Sequence, residues 1–205
     1  FEDLGSGAVI NTEEYGPVSH EPTPSEIISK GVDLLCYSGD KILGGAQAGI
    51  IAGNKDLIHG IKKEPFFRAL RCDKLILSML EEITEEHLKK NNSIPLLKML
   101  STSVEELALR AGNIVNELNE LPAKISIGDG ESRMGGGTMP KSAIPSKTID
   151  ILPDNLSLPK LAKKLRETDN PVMGYIADEK FNIDLPTIFP RQDQILTKSI
   201  KESLI

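Results

Sequence analysis

VDLLCYSGDKILGGAQAGIIA, residues 32–52, is the stretch that indicates the fold of this chain. It begins with a short apolar run that predicts a strand. The glycine-rich segment Ser38–Gly45 then predicts a turn, and Ala48–Ala52 predicts a second strand. Upstream, Thr23 or Ser25 can cap a short helix. This alternation of strands and helices is typical of the α/β class, which is the class we expect.

The middle of the chain is predicted to be helical. Apolar residues recur near helical spacing from Phe66 to about Lys90, where Asn91–Pro95 breaks the pattern. The next helix begins at a capping box, formed by Ser103 with Glu106 or by the equivalent pair one residue earlier. The first stretch is therefore expected to be one long helix and the second a separate one.

The Leu-Pro dipeptide that ends this second helix marks the predicted domain boundary, which gives domains 1–121 and 122–205. In the second domain, residues 124–127 and 147–152 read as strands. Between them, residues 128–137 contain five glycines and predict a flexible segment. We expect a small α+β unit.

Composition excludes several classes of protein. Of the 205 residues, 39% are apolar and 26% are charged, as in ordinary globular proteins. There is no run of about 18 apolar residues, so no membrane span is predicted, and we expect no signal peptide. The net charge of −6 argues against strong nucleic-acid binding by this segment alone.

Cysteine and histidine usage indicates a reduced, cytoplasmic protein without a metal site. Cys36 and Cys72 stand alone, and no CxxC motif is present. The histidines His20, His59 and His87 are scattered and are expected at the surface.

Lys41 is the first candidate functional residue, because it lies at the end of a predicted buried strand and is flanked by glycines. A desolvated lysine can form a Schiff base with an aldehyde, and glycines let a planar cofactor approach the backbone. Ser38 could donate to a cofactor phosphate. Asp3, which ends the first predicted strand, could keep a pyridine nitrogen protonated. The alternative is a solvated loop lysine beside a simple glycine turn.

Arg68 and Arg71 form a second candidate site. Two arginines three residues apart near a helix start share a face and can clamp a phosphate-like anion. The alternative is a pair of surface arginines near glutamates.

Seven segments together resemble one family, bacterial selenocysteine synthase, also called L-seryl-tRNA(Sec) selenium transferase. The likeness follows the order of the chain and covers nearly all of it. The segments are Asp3–Gly7, Glu21–Thr23, Ser38–Gly49, Arg68–Lys74, Ile94–Leu100, Gly135–Pro140 and Pro171–Gly174.

The resemblance implies a fold-type-I pyridoxal phosphate enzyme, with residues 1–121 as the C-terminal part of its large domain and 122–205 as its small domain. The family's site residues map onto this sequence one by one. Lys41 matches the Schiff-base lysine, Asp3 its pyridinium partner and Asp40 an acid implicated in catalysis. Arg68 and Arg71 match the arginines that bind selenophosphate.

The implied reaction converts seryl-tRNA(Sec) to selenocysteinyl-tRNA(Sec) by β-elimination of water and selenium addition from selenophosphate. The implied protein is a cytoplasmic homo-oligomer with sites at subunit interfaces. Family members are about twice as long, so we expect this chain to be a C-terminal half that is inactive alone, and expect the missing N-terminal region to hold most of the tRNA contacts.

Three positions depart from the family pattern, and one of them, Ala46 in place of a usual proline, is a minor change. Tyr175 and Pro186 stand where the family usually has arginines. They leave two alternatives open: a related pyridoxal phosphate lyase or transferase acting on a small amino acid, or a truncated fragment without activity.

Overall fold

A computed structural model describes residues 1–89, 93–135, 137–139 and 142–205. The predicted helix break at Asn91 and Asn92, the helix end at Lys90, and Gly136 and Pro140 of the family segment lie outside these residues. Contacts divide the chain into two compact units. The first comprises Phe1–Ser101 with Arg133–Ser142, and the second comprises Thr102–Ser132 with Ala143–Ile205. Within the described ranges, no helix is long and apolar enough to cross a membrane.

The first unit contains a sheet of mixed direction. Strand β2 lies in its centre, parallel to β1 and antiparallel to β3. Parallel strands need a crossover connection, and a short helix α1 lies in the crossover between β1 and β2. Thr23 caps this helix reciprocally with Glu26, so the first of the two predicted caps is confirmed. The elements are β1 (Glu2–Gly5), α1 (Pro24–Ser29), β2 (Leu34–Ser38) and β3 (Gly49–Gly53).

Four further helices follow β3 in the described residues of the first unit. They are α2 (Lys55–Lys63), α3 (Pro65–Leu70), α4 (Lys74–Lys89) and α5 (Pro95–Ser101). The single long helix predicted from Phe66 is wrong, because the helix breaks between α3 and α4. The Asp73 carboxylate accepts hydrogen bonds from the backbone amides of Leu75 and Ile76 (2.9 and 3.0 Å), which starts a new helix there. Apolar periodicity alone did not reveal this cap.

The second unit is an antiparallel sheet covered by helices. Its strand order is β4-β5-β7-β6, and its buried core joins side chains of the helices to those of β5 and β7. This arrangement agrees with the expected α+β unit. The elements are α6 (Val104–Glu117), β4 (Ala123–Ser132), β5 (Ile144–Pro153), α7 (Leu158–Arg166), β6 (Tyr175–Ala177), β7 (Lys180–Asp184) and α8 (Asp193–Leu204).

Strand β4 is longer than predicted and runs through Gly128 and Gly130, where a flexible segment was expected to begin. The glycines belong to the strand because polar side chains of β5 occupy the space above them. A Cβ on Gly128 would lie 2.5 Å from both carboxylate oxygens of Asp150. Glycine is thus required here by close approach rather than by flexibility.

Helix α6 belongs to the second unit. Its buried residues Leu107, Ala111 and Ile114 are part of the same core as Ile149 and Ile151 of β5. Ser103 accepts from the amide of Glu106 (3.1 Å), which identifies the capping residue. The compact units therefore divide between Ser101 and Thr102, before α6, whereas the predicted domain boundary lies after α6, at residue 121. The two predicted domains remain a prediction.

Arg110 of α6 joins this helix to α8. Its guanidinium donates to both carboxylate oxygens of Asp193 (3.0 and 2.6 Å) and to the carbonyl of Ile188 (2.8 Å), and its side chain is 11% exposed.

We expect Arg110→Met to lower the free energy of unfolding by about 1.5–3 kcal/mol, because it leaves a partly buried carboxylate unpaired. Denaturant unfolding measures this. Lys198→Met, which breaks an exposed pair with Glu202, should change it by no more than about 0.5 kcal/mol; equal losses would contradict the prediction.

Candidate active site

Lys41 lies in a tight turn directly after β2. The turn is closed by backbone hydrogen bonds: Gly39 donates to Ala48 (2.9 Å), Gly45 to Gly39 (2.8 Å) and Gly44 to Lys41 (2.9 Å). The lysine side chain is half-buried. These hydrogen bonds close the backbone around Lys41 into a turn.

The end of β1 lies beside this turn. The Ile42 amide donates to the Ser6 carbonyl (3.0 Å), and the Lys41 Nζ lies 3.8 Å from the position that a Cβ on Gly5 would take. The Gly5 amide donates to the Asp3 carboxylate (2.9 Å). The predicted amine and carboxylate thus both border Gly5, at the carboxyl ends of two parallel strands. Ligands of α/β proteins commonly bind at such an edge.

Cys36 is a neighbour of Asp3 that sequence reasoning missed. The parallel register of β1 and β2 pairs Asp3 with Cys36. Burial raises the pKa of the Cys36 thiol, and a hydrogen bond with the Asp3 carboxylate raises this pKa further. The thiol is therefore neutral near pH 7 and lies beside Asp3 in the strand register. Only the strand register reveals this pair, so the sequence contained no signal for it.

Two serine hydroxyls lie on the same strand ends. The Ser6 Oγ is buried without a hydrogen-bond partner among the described residues. Ser38 ends β2 and is half-buried, and its carbonyl oxygen lies against Gly7, where a Cβ would be only 2.3 Å from it. Gly7 also has φ +69°. Glycine is therefore required there both by the positive φ and by the close approach of the Ser38 oxygen.

The glycines of the Lys41 turn pack against helix α4. A Cβ on Gly45 would lie 3.0 Å from Ile83 and 3.2 Å from Leu80, and one on Gly39 would also lie 3.2 Å from Leu80. The interpretation that these glycines admit a planar cofactor therefore needs correction, because the space above them is filled by the helix. Their small size allows the turn and α4 to approach closely.

His87 was expected at the surface, and this expectation is wrong. It is half-buried on α4, and its Nε2 donates to the carbonyl of Leu43 (2.9 Å). The spacing of Leu80, Ile83 and His87 places all three on one helical face, a signal that the sequence did contain.

The predicted arginines do not share a helical face. Arg68 lies in the last turn of α3, whereas Arg71 follows the helix with extended backbone (φ −62°, ψ 139°). Both are exposed, as is Asp40, and within the described part of the chain neither arginine has a hydrogen bond or ion pair through its side chain. Both guanidinium groups are therefore available to an anion.

Tyr175 and Pro186 both belong to the second unit. Partial burial raises the pKa of the Tyr175 hydroxyl, and the nearby carboxylates of Asp184 and Asp150 raise it further. Asp150 already accepts from Lys180 (3.1 Å), and Asp184 accepts from the hydroxyl of a serine on β5 (2.6 Å). The surroundings of Tyr175 are acidic rather than basic.

Comparison with solved structures identifies the class of fold. The chain aligns with D-glucosaminate-6-phosphate ammonia-lyase at a TM-score of 0.59 and 16% identity, covering 92% of this chain and 48% of that one. The likeness shows an α/β fold of the fold-type-I class, as expected.

Sequence comparison identifies the family. The model of the SelA family, described as L-seryl-tRNA selenium transferase, matches residues 1–189, and the chain belongs to this family. The proteins named L-seryl-tRNA(Sec) selenium transferase from Carboxydothermus hydrogenoformans and Aquifex aeolicus are 39% and 38% identical to it, over 99% and 100% of this chain. The chain spans 44% and 46% of those two relatives, which is less than half their length.

Proposed function

We propose that this chain supplies the C-terminal part of an enzyme that converts seryl-tRNA(Sec) to selenocysteinyl-tRNA(Sec), with pyridoxal phosphate as cofactor and selenophosphate as selenium donor. The observation that carries the proposal is that the Lys41 amine and the Asp3 carboxylate both lie beside Gly5. The family named for this reaction supports the choice of substrates. We expect the 205 residues alone to be inactive.

The residues at this edge suit pyridoxal phosphate chemically. A primary amine suits its aldehyde, a carboxylate suits its ring nitrogen, and hydroxyl groups suit its phosphate. Gly5 leaves open the space that a side chain would fill beside the Lys41 amine, and the Ser6 Oγ is buried without a partner in the described residues. Ser38 is the proposed phosphate contact from this chain.

Each residue then has a defined task. Bound pyridoxal phosphate would supply an electron sink for charge that develops at the substrate Cα. Lys41 holds the cofactor and moves the Cα proton at its Nζ, and Asp40 is the second proposed catalytic group. Asp3 keeps a proton on the ring nitrogen, and Cys36 is paired with it in the register of the two parallel strands.

The complete protein is proposed to act as a cytoplasmic homo-oligomer with sites at subunit interfaces. Its tRNA contacts are proposed to lie mainly in the N-terminal region that the longer relatives contain. The net charge of −6 on this segment agrees with tRNA contacts elsewhere.

The test of this function is an assay of the complete protein with pyridoxal phosphate, selenophosphate and seryl-tRNA(Sec). We expect selenocysteinyl-tRNA(Sec) to form and free serine to remain unreacted. Conversion of a free amino acid without tRNA would instead support the lyase alternative, which Tyr175 and Pro186 in place of the family arginines leave open. Absence of both reactions would support the alternative without catalytic activity.

The exposed arginines give a second prediction. We expect Arg68→Ala and Arg71→Ala each to raise the KM for selenophosphate by about tenfold or more, because each removes charge-assisted hydrogen bonds to the donor phosphate. The visible absorbance of bound pyridoxal phosphate should not change. Lys62→Ala, which removes an exposed cation from α2, is the control. A KM equal to that of the control would refute the arginine assignment.

A further inference from the structure

We propose that His87 is a positioning residue that fixes the Lys41 turn by holding the carbonyl of Leu43. This inference rests on the proposed function only for the role of Lys41 in catalysis. The contact itself is a property of the first unit, and it can be tested without cofactor.

The contact is directional and polar. His87 Nε2 lies 2.9 Å from the Leu43 oxygen. A carbonyl only accepts, so Nε2 carries the proton in this bond. The other ring nitrogen, Nδ1, is buried and has no partner within the described ranges. Within the described residues, the only hydrogen bond of the His87 side chain is therefore the one to this turn.

The turn needs such an anchor because of its composition. Gly44 and Gly45 follow Leu43, and glycine restricts the backbone less than any other residue. Leu80 and Ile83 pack on this segment, but apolar contacts do not fix the orientation of a carbonyl. The bond from His87 fixes that orientation.

Leu43 is coupled to Lys41 through the turn itself. The amide of Gly44, which shares a peptide group with the Leu43 carbonyl, donates to the Lys41 carbonyl (2.9 Å). Rotation of this peptide group would break both hydrogen bonds together. Holding it therefore holds the backbone of Lys41, and with it the direction from which the amine leaves the turn.

Two variants of the complete protein separate the hydrogen bond from the bulk of the ring. His87→Gln keeps an N–H at the same number of bonds from Cα, whereas His87→Asn places it one bond short. His59→Asn makes the same change at an exposed histidine of α2 and is the matched control. Amide hydrogen exchange of residues 39–46, measured without cofactor, is the first measurement.

We expect the Asn variant to exchange about tenfold faster in this segment, and the Gln variant and the control to match the wild type. With pyridoxal phosphate added, the Asn variant should shift the pH at which the visible absorbance changes and lower kcat, and Gln should restore both. Equal exchange and equal pH profiles in Asn and wild type would overturn the proposal. If the Asn variant fails to fold, faster exchange in the Gln variant overturns it.

The two proposals fail in different ways. Absence of visible absorbance in the wild type would refute the cofactor role of Lys41. Exchange in the Asn variant would still show whether His87 anchors the turn.

Discussion

Lys41→Ala in the complete protein is expected to remove the visible absorbance of bound pyridoxal phosphate and to lower turnover by at least about a thousandfold. The variant removes the only amine described beside Gly5, at the edge where Asp3 lies. Loss of a group that both holds a cofactor and transfers a proton commonly costs this much or more. Absorbance spectra and single-turnover assays with seryl-tRNA(Sec) measure the two effects.

An exposed lysine of the first unit serves as control for this prediction. Lys30→Ala removes an exposed lysine at the end of α1 and should leave spectrum and turnover unchanged. Lys41→Arg keeps the charge but cannot serve as the amine, so it should behave like the alanine variant. If Lys41→Ala keeps the visible band and continues to turn over, Lys41 is not the cofactor lysine.

Gly7→Ala is expected to give the second large effect, a loss of about 3 kcal/mol or more in the free energy of unfolding. Two costs add at this position. The residue has φ +69°, which costs an alanine about 1–2 kcal/mol, and its Cβ would lie 2.3 Å from the backbone oxygen of Ser38. Backbone atoms cannot move aside as a side chain can, so β1 must shift from β2 and carry Asp3 away from Lys41.

Gly31→Ala separates these two costs. Gly31 also has a positive φ (+91°), but a Cβ there would have no atom within 4 Å. We therefore expect this variant to lose only about 1–2 kcal/mol and to keep its affinity for pyridoxal phosphate. Denaturant unfolding and cofactor titration of both variants measure the difference. Similar losses in the two variants would show that close approach of the strands at Gly7 contributes little.

Local signals in the sequence predicted local structure well. Thr23 and Ser103 cap their helices through contacts a few residues away, so a short window of sequence contains all that is needed. The position of Lys41 after a strand and within a glycine turn is equally local. The α/β class follows from the same alternation of elements.

Features that depend on the register between distant segments could not be predicted. The pairing of Asp3 with Cys36 exists only because β1 and β2 align in one of several possible registers. Gly128 lies in a strand rather than a loop because Asp150 of another strand faces it. Apolar periodicity predicted α3 and α4 as one helix. It records only the spacing of apolar residues and takes no account of a capping carboxylate such as that of Asp73.

The segment Arg133–Ser142 lies in sequence between the two parts of the second unit, but it belongs to the first unit. The backbone therefore passes between the units at three peptide bonds, and no single cut yields both pieces whole. A piece ending at Ser101 would lack Ser142, whose hydroxyl accepts from the Ser19 amide (2.9 Å). A truncation that removes one unit therefore also damages the other. A function lost on truncation would then be assigned to the removed unit, although damage to the remaining unit caused the loss.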